Sequence, residues 1–431
     1  MKTAAEKKQP FVIGKGAPEA NLAADELRAI VEDALAEIAP GARVLAVIPD
    51  KTRDDNTDLL FPFAARVLSE RNVEKFDALV AQGTHSPMSL AEKRTKIGIG
   101  DGAEIPGLGM VFDHEWSNPD ELVEIGRLDG ETVRELTDGL FEKAIPLTIN
   151  RRLAPGNYDY VLIFGGVVPH EVAGFAGGAK YFFPGVAGPE LTHKTHWLAA
   201  LAGIENIIGQ VETPTRHLIE AAADCISAEI IAFTSVCTRT TDGGLRTHAL
   251  FAGDFQSSVR AAAEVSKKVH VRYTGRKYRR VVALLDEKYT DLWVGGKASY
   301  RLGGVIEEGG ELIIHAPQLT CISDTHGAAI ERFGGYAPIE TIKDLVAASG
   351  EMQSNLCVAA HLAHVAYAAK SGSKAEPRFR ITLSSQLDEA TCRKINLEYL
   401  NPTEFRLSRY ADENTLIVER AGRDLYLVAP D

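Results

Sequence analysis

The sequence predicts an α/β protein of two α/β domains with mostly parallel sheets and an interdomain cleft, and three observations carry that expectation. Short apolar runs alternate with stretches of helical spacing, the rhythm of strand–helix–strand units. At 431 residues the chain exceeds what one hydrophobic core usually organises. An apolar share of 45% beside 25% charged residues is an ordinary globular balance, with no disordered or collagen-like bias.

Taken in order, Leu22 to Ile38 has the spacing of an amphipathic helix capped by Asn21 or nearby polar groups, and Val44 to Ile48 is a strand ending at Pro49-Asp50. Leu59 to Arg71 predicts a second helix. Ala78 to Ala81 is a strand ending at Gly83-Thr84-His85, and Tyr160 to Phe164 one ending at Gly165-Gly166. A basic stretch, Lys267 to Arg280, precedes a new series, which places the domains at residues 1–275 and 276–431. In the second, Val281 to Leu285 and Glu311 to His315 read as strands, separated by a helix over Lys297 to Glu307 and a turn at Glu308-Gly309-Gly310. Helices over Thr341 to Ala347 and Cys357 to Ser371 follow, then strands Phe379 to Leu383, Leu416 to Glu419 and Leu425 to Val428, with the terminal segment free to pack back on the first domain. In such sheets ligands sit beyond the carboxyl ends of the strands, which here are polar or glycine-rich.

A formal net charge of −12 argues against a nucleic-acid partner, because phosphate backbones demand a basic face. Five scattered cysteines without CxxC spacing fit a reducing cytoplasm better than a disulfide framework. The first ten residues lack the apolar stretch of a secretory signal, and no run approaches the ~18 apolar residues of a membrane span. The expectation is a cytoplasmic protein without a membrane partner.

The densest chemical signal runs from Pro169 to His196, where three histidines, two lysines and five glycines fall within 28 residues. Gly174, Gly177 and Gly178 permit positive φ and close backbone approach, which an anionic group lying on main-chain N–H donors requires. The spacing matches neither a phosphate-binding Gly-Lys-Ser/Thr loop nor the dinucleotide fingerprint. Taken singly, these glycines fit ordinary turns and Lys180 a solvated charge; the cluster as a whole does not. His193 and His196 are three apart and can share a helical face, so one of them is a candidate metal ligand. Asp50-Lys51-Thr52-Arg53 follows a strong strand, with Arg53 offering a planar fork for a carboxylate or phosphate and Asp50 either meeting a ligand or capping the next helix. His85, just past another strand, suits proton transfer near neutral pH. His361 and His364 lie on an apolar helix-like segment and read as core histidines.

These pieces together resemble the lactate racemase family, whose members carry a nickel-pincer nucleotide. The resemblance rests on Asp50-x-Thr-Arg53, Gly83-x-His85, the stretch His170-x-x-Ala-Gly-Phe-Ala-Gly-Gly-Ala-Lys180, Pro184-Gly185, and His196 sixteen residues after Lys180. It implies that Lys180 is covalently linked to the cofactor, that His196 is a nickel ligand beside a carbon and two sulfurs of the pincer, and that His85 and His170 are the catalytic pair. Asp50 and the three glycines would help hold the cofactor. Arg53 would engage substrate, with Lys297 as a second clamp, and cofactor-maturation enzymes would be partners. The implied reaction inverts the C2 hydroxyl carbon of a 2-hydroxy acid through a 2-keto acid, with hydride stored on the cofactor.

Two positions depart from the lactate-type pattern: Val294 stands where glutamine is common, and Ser86 where arginine is common. Pocket polar groups decide which hydroxy acids bind, so a larger substrate such as a sugar acid is favoured over lactate. Two other readings are a zinc hydrolase using His193, His196 and a carboxylate, and a cofactor-carrying protein without turnover, which would need neither His85 nor His170.

Overall fold

The structure, a computed structural model, describes residues 11–100 and 103–429, so the N-terminal stretch inspected for a signal lies outside it. The chain forms two compact units, and both are α/β with mostly parallel sheets. The first comprises Met1–Val168, Ala173–Thr195 and Val211–Val269, the second Pro169–Val172, His196–Gln210 and His270–Asp431. The last change of unit falls between Val269 and His270, and the units interleave earlier in the chain. Lys180 and His85 belong to the first unit, whereas His170 and His196, expected beside them in the first domain, belong to the second.

The first unit is built on a seven-stranded sheet ordered Val12–Gly16, Leu245–Gly253, Glu229–Arg239, Tyr160–Gly166, Arg43–Pro49, Lys75–Ala81 and Leu108–Phe112. Its last five strands run parallel, and the hairpin Glu229–Arg239/Leu245–Gly253 with Val12–Gly16 makes an antiparallel edge. The central strands are buried on both faces and therefore read as unbroken apolar runs. On one face Val44, Ala46, Ile48, Phe164 and Phe233 pack against Leu27, Val31, Leu60 and Phe61 from two helices. On the other, Val167, Phe175 and Val236 meet Ala262, Ala263 and Val265 of the helix Phe255–His270.

The first helix spans Ala24–Ala34 and buries Leu27, Ile30, Val31 and Ala34, the spacing of a single apolar stripe. Its cap is not Asn21: the backbone N–H of Ala23 donates to Glu26 Oε2 at 2.8 Å, so a glutamate reaching back closes the first turn. The second helix is Thr57–Glu70.

The second unit holds a five-stranded parallel sheet ordered Glu398–Tyr399, Phe379–Ser384, Ile306–His315, Tyr278–Leu284 and Thr415–Val418. The terminal strand Leu425–Leu427 pairs with Val271–Tyr273, and both belong to this unit. Two expected helices are shorter than the periodicity suggested. The one starting at Lys297 stops at Leu302, because Gly303 and Gly304 follow, and the chain enters a strand by Ile306. The helix Leu356–Ala366 ends where Tyr367 takes φ +36°, so the expected run to Ser371 is cut. Gly309 and Gly310 fall inside the strand Ile306–His315 instead of forming a free turn before it. Among the described residues no helix is long and apolar enough to cross a membrane.

Candidate active site

The first unit gathers its chemistry at the carboxyl ends of two neighbouring parallel strands. The register pairs Pro49 with Ala81, so the residues just beyond them emerge side by side. Asp50 is buried at this edge, and its Oδ2 lies 2.6 Å from His85 Nδ1. Its other oxygen, Oδ1, accepts from the Thr52 backbone N–H at 2.9 Å and the Thr52 hydroxyl at 2.5 Å. Burial works against the Asp50 charge, but the His85 hydrogen bond and the Arg53 guanidinium outweigh it and hold the carboxyl well below its usual range. About half of the His85 side chain remains open to solvent, so the far edge of the ring is accessible.

Arg53 follows on the same loop, which Lys96 pins by donating to the Arg53 carbonyl at 3.1 Å and to buried Asp55 at 2.8 Å. Arg53 is partly exposed and acts on Asp50 through its charge.

Lys180 lies on a short 3-10 turn, Gly178–Tyr181, reached through Gly174, Gly177 and Gly178, all at positive φ. A Cβ on Gly177 would come within 2.8 Å of Val167 Cγ2, and one on Gly178 within 2.7 Å of Val259 Cγ2 and 2.8 Å of the Phe255 carbonyl. Glycine at 177 and 178 is thus required by close packing against protein, independently of any phosphate. Gly165 has a matching purpose, since its missing Cβ makes room for the Tyr181 ring, which would otherwise collide at 2.1 Å. The turn therefore seats on the end of the strand Tyr160–Gly166. A hydrogen bond of 2.8 Å from the Gly83 N–H to the Gly185 carbonyl ties the turn before His85 to the loop after Lys180.

Sequence reasoning missed the residue that braces this loop. Arg216 is fully buried and donates to the carbonyls of Gly177 and Ala173 at 3.2 Å each, and to that of Phe175. Burial lowers its pKa to about 10, which leaves it charged. The only hint in the sequence is an arginine in the first turn of a helix that Thr213 caps, a place that gives no reason to expect a cation under a glycine loop.

The second unit holds His170, His196 and Lys297. His170 is buried, and its Nδ1 accepts the Val172 backbone N–H at 3.0 Å, while Glu171 Oε2 stands 3.7 Å from the same nitrogen. Burial disfavours the Glu171 carboxylate, yet the charges of His170, Lys297 and Arg301 hold it well below its usual pKa. The charge of Lys297 therefore acts on an anion of its own unit. Arg301, also buried, donates to the Pro169 carbonyl at 3.1 Å and to the Arg423 carbonyl at 2.7 Å, fixing the backbone just before His170. Neither Glu171 nor Arg301 was singled out in the sequence, although a charged residue beside His170 in an otherwise apolar stretch was a signal.

Lys297 opens its helix directly behind the short helix Leu292–Gly295, which Asp291 caps through a 2.8 Å bond from the Val294 N–H. A Cβ on Gly296 would lie 3.1 Å from both His361 Cε1 and Val365 Cγ2, so this glycine lets the lysine-bearing helix pack tightly on Leu356–Ala366. His361 and His364 are buried there. Burial lowers their pKa values to about 3 and about 4. The Trp293 ring lies tilted against those of His361 and His326, with centroids 4.2 Å away in each case, and Tyr300 and Tyr336 hydrogen-bond the two nitrogens of His361.

His196 is partly exposed on the helix Pro189–Ala202, and burial lowers the pKa of His193 on the same helix. Among the described residues no three His, Cys, Asp or Glu side chains come together as a group able to hold a metal ion. The zinc reading needs such a set around His193 and His196.

The family profile described as the lactate racemase N-terminal domain matches residues 18–206. The crystal structure of a Thermotoga maritima protein, a target of the Northeast Structural Genomics Consortium, aligns over 94% of this chain and 98% of that chain with a TM-score of 0.82 and 31% identity. Residues 18–206 thus match the N-terminal domain of the lactate racemase family. Lactate racemase apoprotein from Thermoanaerobacterium thermosaccharolyticum shares the fold at 16% identity, with a TM-score of 0.69 over 99% of this chain and 96% of that one. No curated protein matches the chain significantly. The span matched by the lactate racemase N-terminal domain takes in Asp50, Arg53, His85, His170, Lys180 and His196, and leaves out Lys297.

Proposed function

We propose that this protein is a cytoplasmic racemase or epimerase of the lactate racemase family that inverts the C2 hydroxyl carbon of a 2-hydroxy acid with a nickel-pincer nucleotide as cofactor. The observation that carries the reading is the buried Asp50 carboxylate bonded to a half-exposed His85, on the same strand edge as Arg53 and tied through Gly83 to the Lys180 loop. A protein that only carried a cofactor would have no use for such an oriented base.

The residues suit that cofactor. Lys180 is a primary amine on a turn whose backbone is braced by Arg216, and a single accessible imidazole, His196, is all the protein donation that a metal held mainly by an organic pincer requires. Main-chain N–H groups of the loop that carries Gly174, Gly177 and Gly178 would then meet the phosphate. When bound, such a group supplies an acceptor for the C2 hydride, and a planar 2-keto acid results.

The chain's own residues do the rest. His85 removes the hydroxyl proton at Nε2 and hands the positive charge to a ring whose other nitrogen already faces an anion. Arg53 pairs with the substrate carboxylate through its planar fork, and Lys297 adds a second positive charge. His170 attends the oxygen when the opposite configuration is made. With Val294 in place of a polar side chain, the substrate side favours an extended or polyhydroxylated acid over lactate. A small-molecule 2-hydroxy acid and the cofactor-maturation enzymes are then the partners.

Protein from a host able to make the cofactor should show an intact-mass adduct on Lys180 and about one nickel per chain. Offered single-enantiomer 2-hydroxy acids, it should generate the opposite C2 configuration, and His85→Ala should abolish this without removing the adduct. Unmodified Lys180 from a competent host, or no inversion across a broad panel including sugar acids, would defeat the reading.

A further inference from the structure

We propose that Lys96 is the positioning residue for Arg53: it holds the Arg53 carbonyl while a buried ion pair with Asp55 fixes Lys96 itself, so that substrate affinity rather than turnover depends on it. The role of Arg53 rests on the function proposed above; the anchoring rests on contacts within the first unit.

The short helix Leu90–Lys96 follows the turn that carries His85, and Ser89 caps it. The Ser89 N–H donates to Glu92 Oε2 at 2.8 Å, and the Ser89 hydroxyl accepts the Glu92 N–H at 3.3 Å. Glu92 and Lys96 are four apart and share a helical face, and that face meets the loop from Asp50 to Asp55. Glu92 Oε1 pairs with Lys51 at 2.6 Å. Lys96 Nζ lies 2.8 Å from Asp55 Oδ2 and donates to the Arg53 carbonyl at 3.1 Å. The end of the helix is seated by Gly98, whose φ is +74°. A Cβ there would come within 2.0 Å of the Asp58 carbonyl, so the chain lies directly on the first turn of the helix Thr57–Glu70.

The two ion pairs are unequal. The side chains of Lys51 and Glu92 are 52% and 36% exposed, so water screens their attraction and the pair contributes little. Those of Lys96 and Asp55 are 9% and 0% exposed, so neither charge can exchange its partner for water. Asp55 is held in turn, because its Oδ1 accepts the Thr57 N–H at 2.9 Å. Both main-chain polar groups of Arg53 are thereby engaged: the N–H donates to the Asp50 carbonyl at 3.3 Å, and the carbonyl accepts from Lys96. The guanidinium starts from a fixed root.

A substrate carboxylate keeps its charge while C2 reacts, so Arg53 binds substrate and transition state alike. Weakening that contact raises KM and spares kcat. Ordering the backbone of one residue costs about tenfold in an equilibrium constant, which sets the size of the effect if the Arg53 root is released.

Lys96→Met alone would strand the buried Asp55 charge and threaten the fold. The test is therefore Lys96→Met with Asp55→Asn, which removes both charges at similar volume and keeps an acceptor for the Thr57 N–H. In cofactor-loaded enzyme, with the hydroxy acid that the wild type inverts fastest, this double variant should raise KM about tenfold, with kcat within about twofold and the Lys180 adduct retained. Glu92→Gln, which removes only the exposed pair, should leave KM within about twofold. An unchanged KM in the folded double variant, a fall in kcat as large as the rise in KM, or an equal rise in Glu92→Gln would overturn the proposal. Backbone 15N relaxation of cofactor-free protein reads the anchoring without turnover. The Arg53 amide should show an order parameter of about 0.85 in the wild type and below about 0.6 in the double variant. Equal values in the two proteins would also overturn it. If the amide loosens as expected but no hydroxy acid is inverted, the function falls and the anchoring of Arg53 stands.

Discussion

Arg216 lies buried beneath the loop that carries Lys180 and donates to three of its carbonyl oxygens, so its loss leaves those acceptors without a partner. Arg216→Met is expected to lower stability by about 3 kcal/mol in urea denaturation, since truncating a buried hydrogen-bonded charge strands the groups it served. It should also reduce the fraction of chains carrying the Lys180 adduct. Stability and loading both unchanged would show the loop holds itself. Gly178 has a separate constraint on the same loop, with φ at +58° and no room for a Cβ. Gly178→Ala should cost about 1–3 kcal/mol through strain and overpacking, seen as a lower thermal midpoint. The glycines were legible in the sequence as permissive positions; what they permit was not, because Val259 and Phe255 lie about 80 residues away.

The helix Leu356–Ala366 carries two imidazoles that burial keeps neutral, with pKa values lowered to about 3 and about 4. A histidine whose folded pKa is depressed binds fewer protons in the folded chain than in the unfolded one, so its contribution is complete above the unfolded pKa of about 6.5 and is lost as the pH falls below it. Each such group should remove about 2 kcal/mol of stability between pH 6.5 and pH 5. His364→Phe is the cleaner probe, because Nε2 of His364 is buried without a hydrogen-bond partner among the described residues. The variant should flatten the loss of stability on acidification by about one group's worth, measured as urea midpoints at the two pH values. An unchanged slope would place the sensitivity elsewhere. Apolar periodicity located this helix and marked both histidines as core residues. It also overran the end, because the left-handed turn at Tyr367 leaves no mark on hydrophobic spacing.

At the scale of the whole molecule, inversion by hydride storage differs from inversion by simple deprotonation in where the C2 hydrogen goes. A proton abstracted by a side chain exchanges with solvent, whereas a hydride held by a cofactor does not. Turnover in deuterated water should therefore yield inverted product without deuterium at C2, read by mass spectrometry. Substantial deuterium at C2 would favour a deprotonation route. The alternation of strands and helices made the α/β class readable. The interleaving of Pro169–Val172 and His196–Gln210 with the C-terminal unit was not, because such segments are placed by contacts far along the chain.

Residue type and local order alone established the strands, the family-bearing stretch around His170 and Lys180, and the candidate acids, bases and cations, since each depends on neighbours a few positions away. Three-dimensional packing decided which groups face one another. Thus Asp50 binds His85, Glu171 is held as a carboxylate by the charges around it, and Arg216 supports a loop roughly forty residues earlier. Such pairings depend on strand register and on the burial of charge, which linear order does not encode position by position.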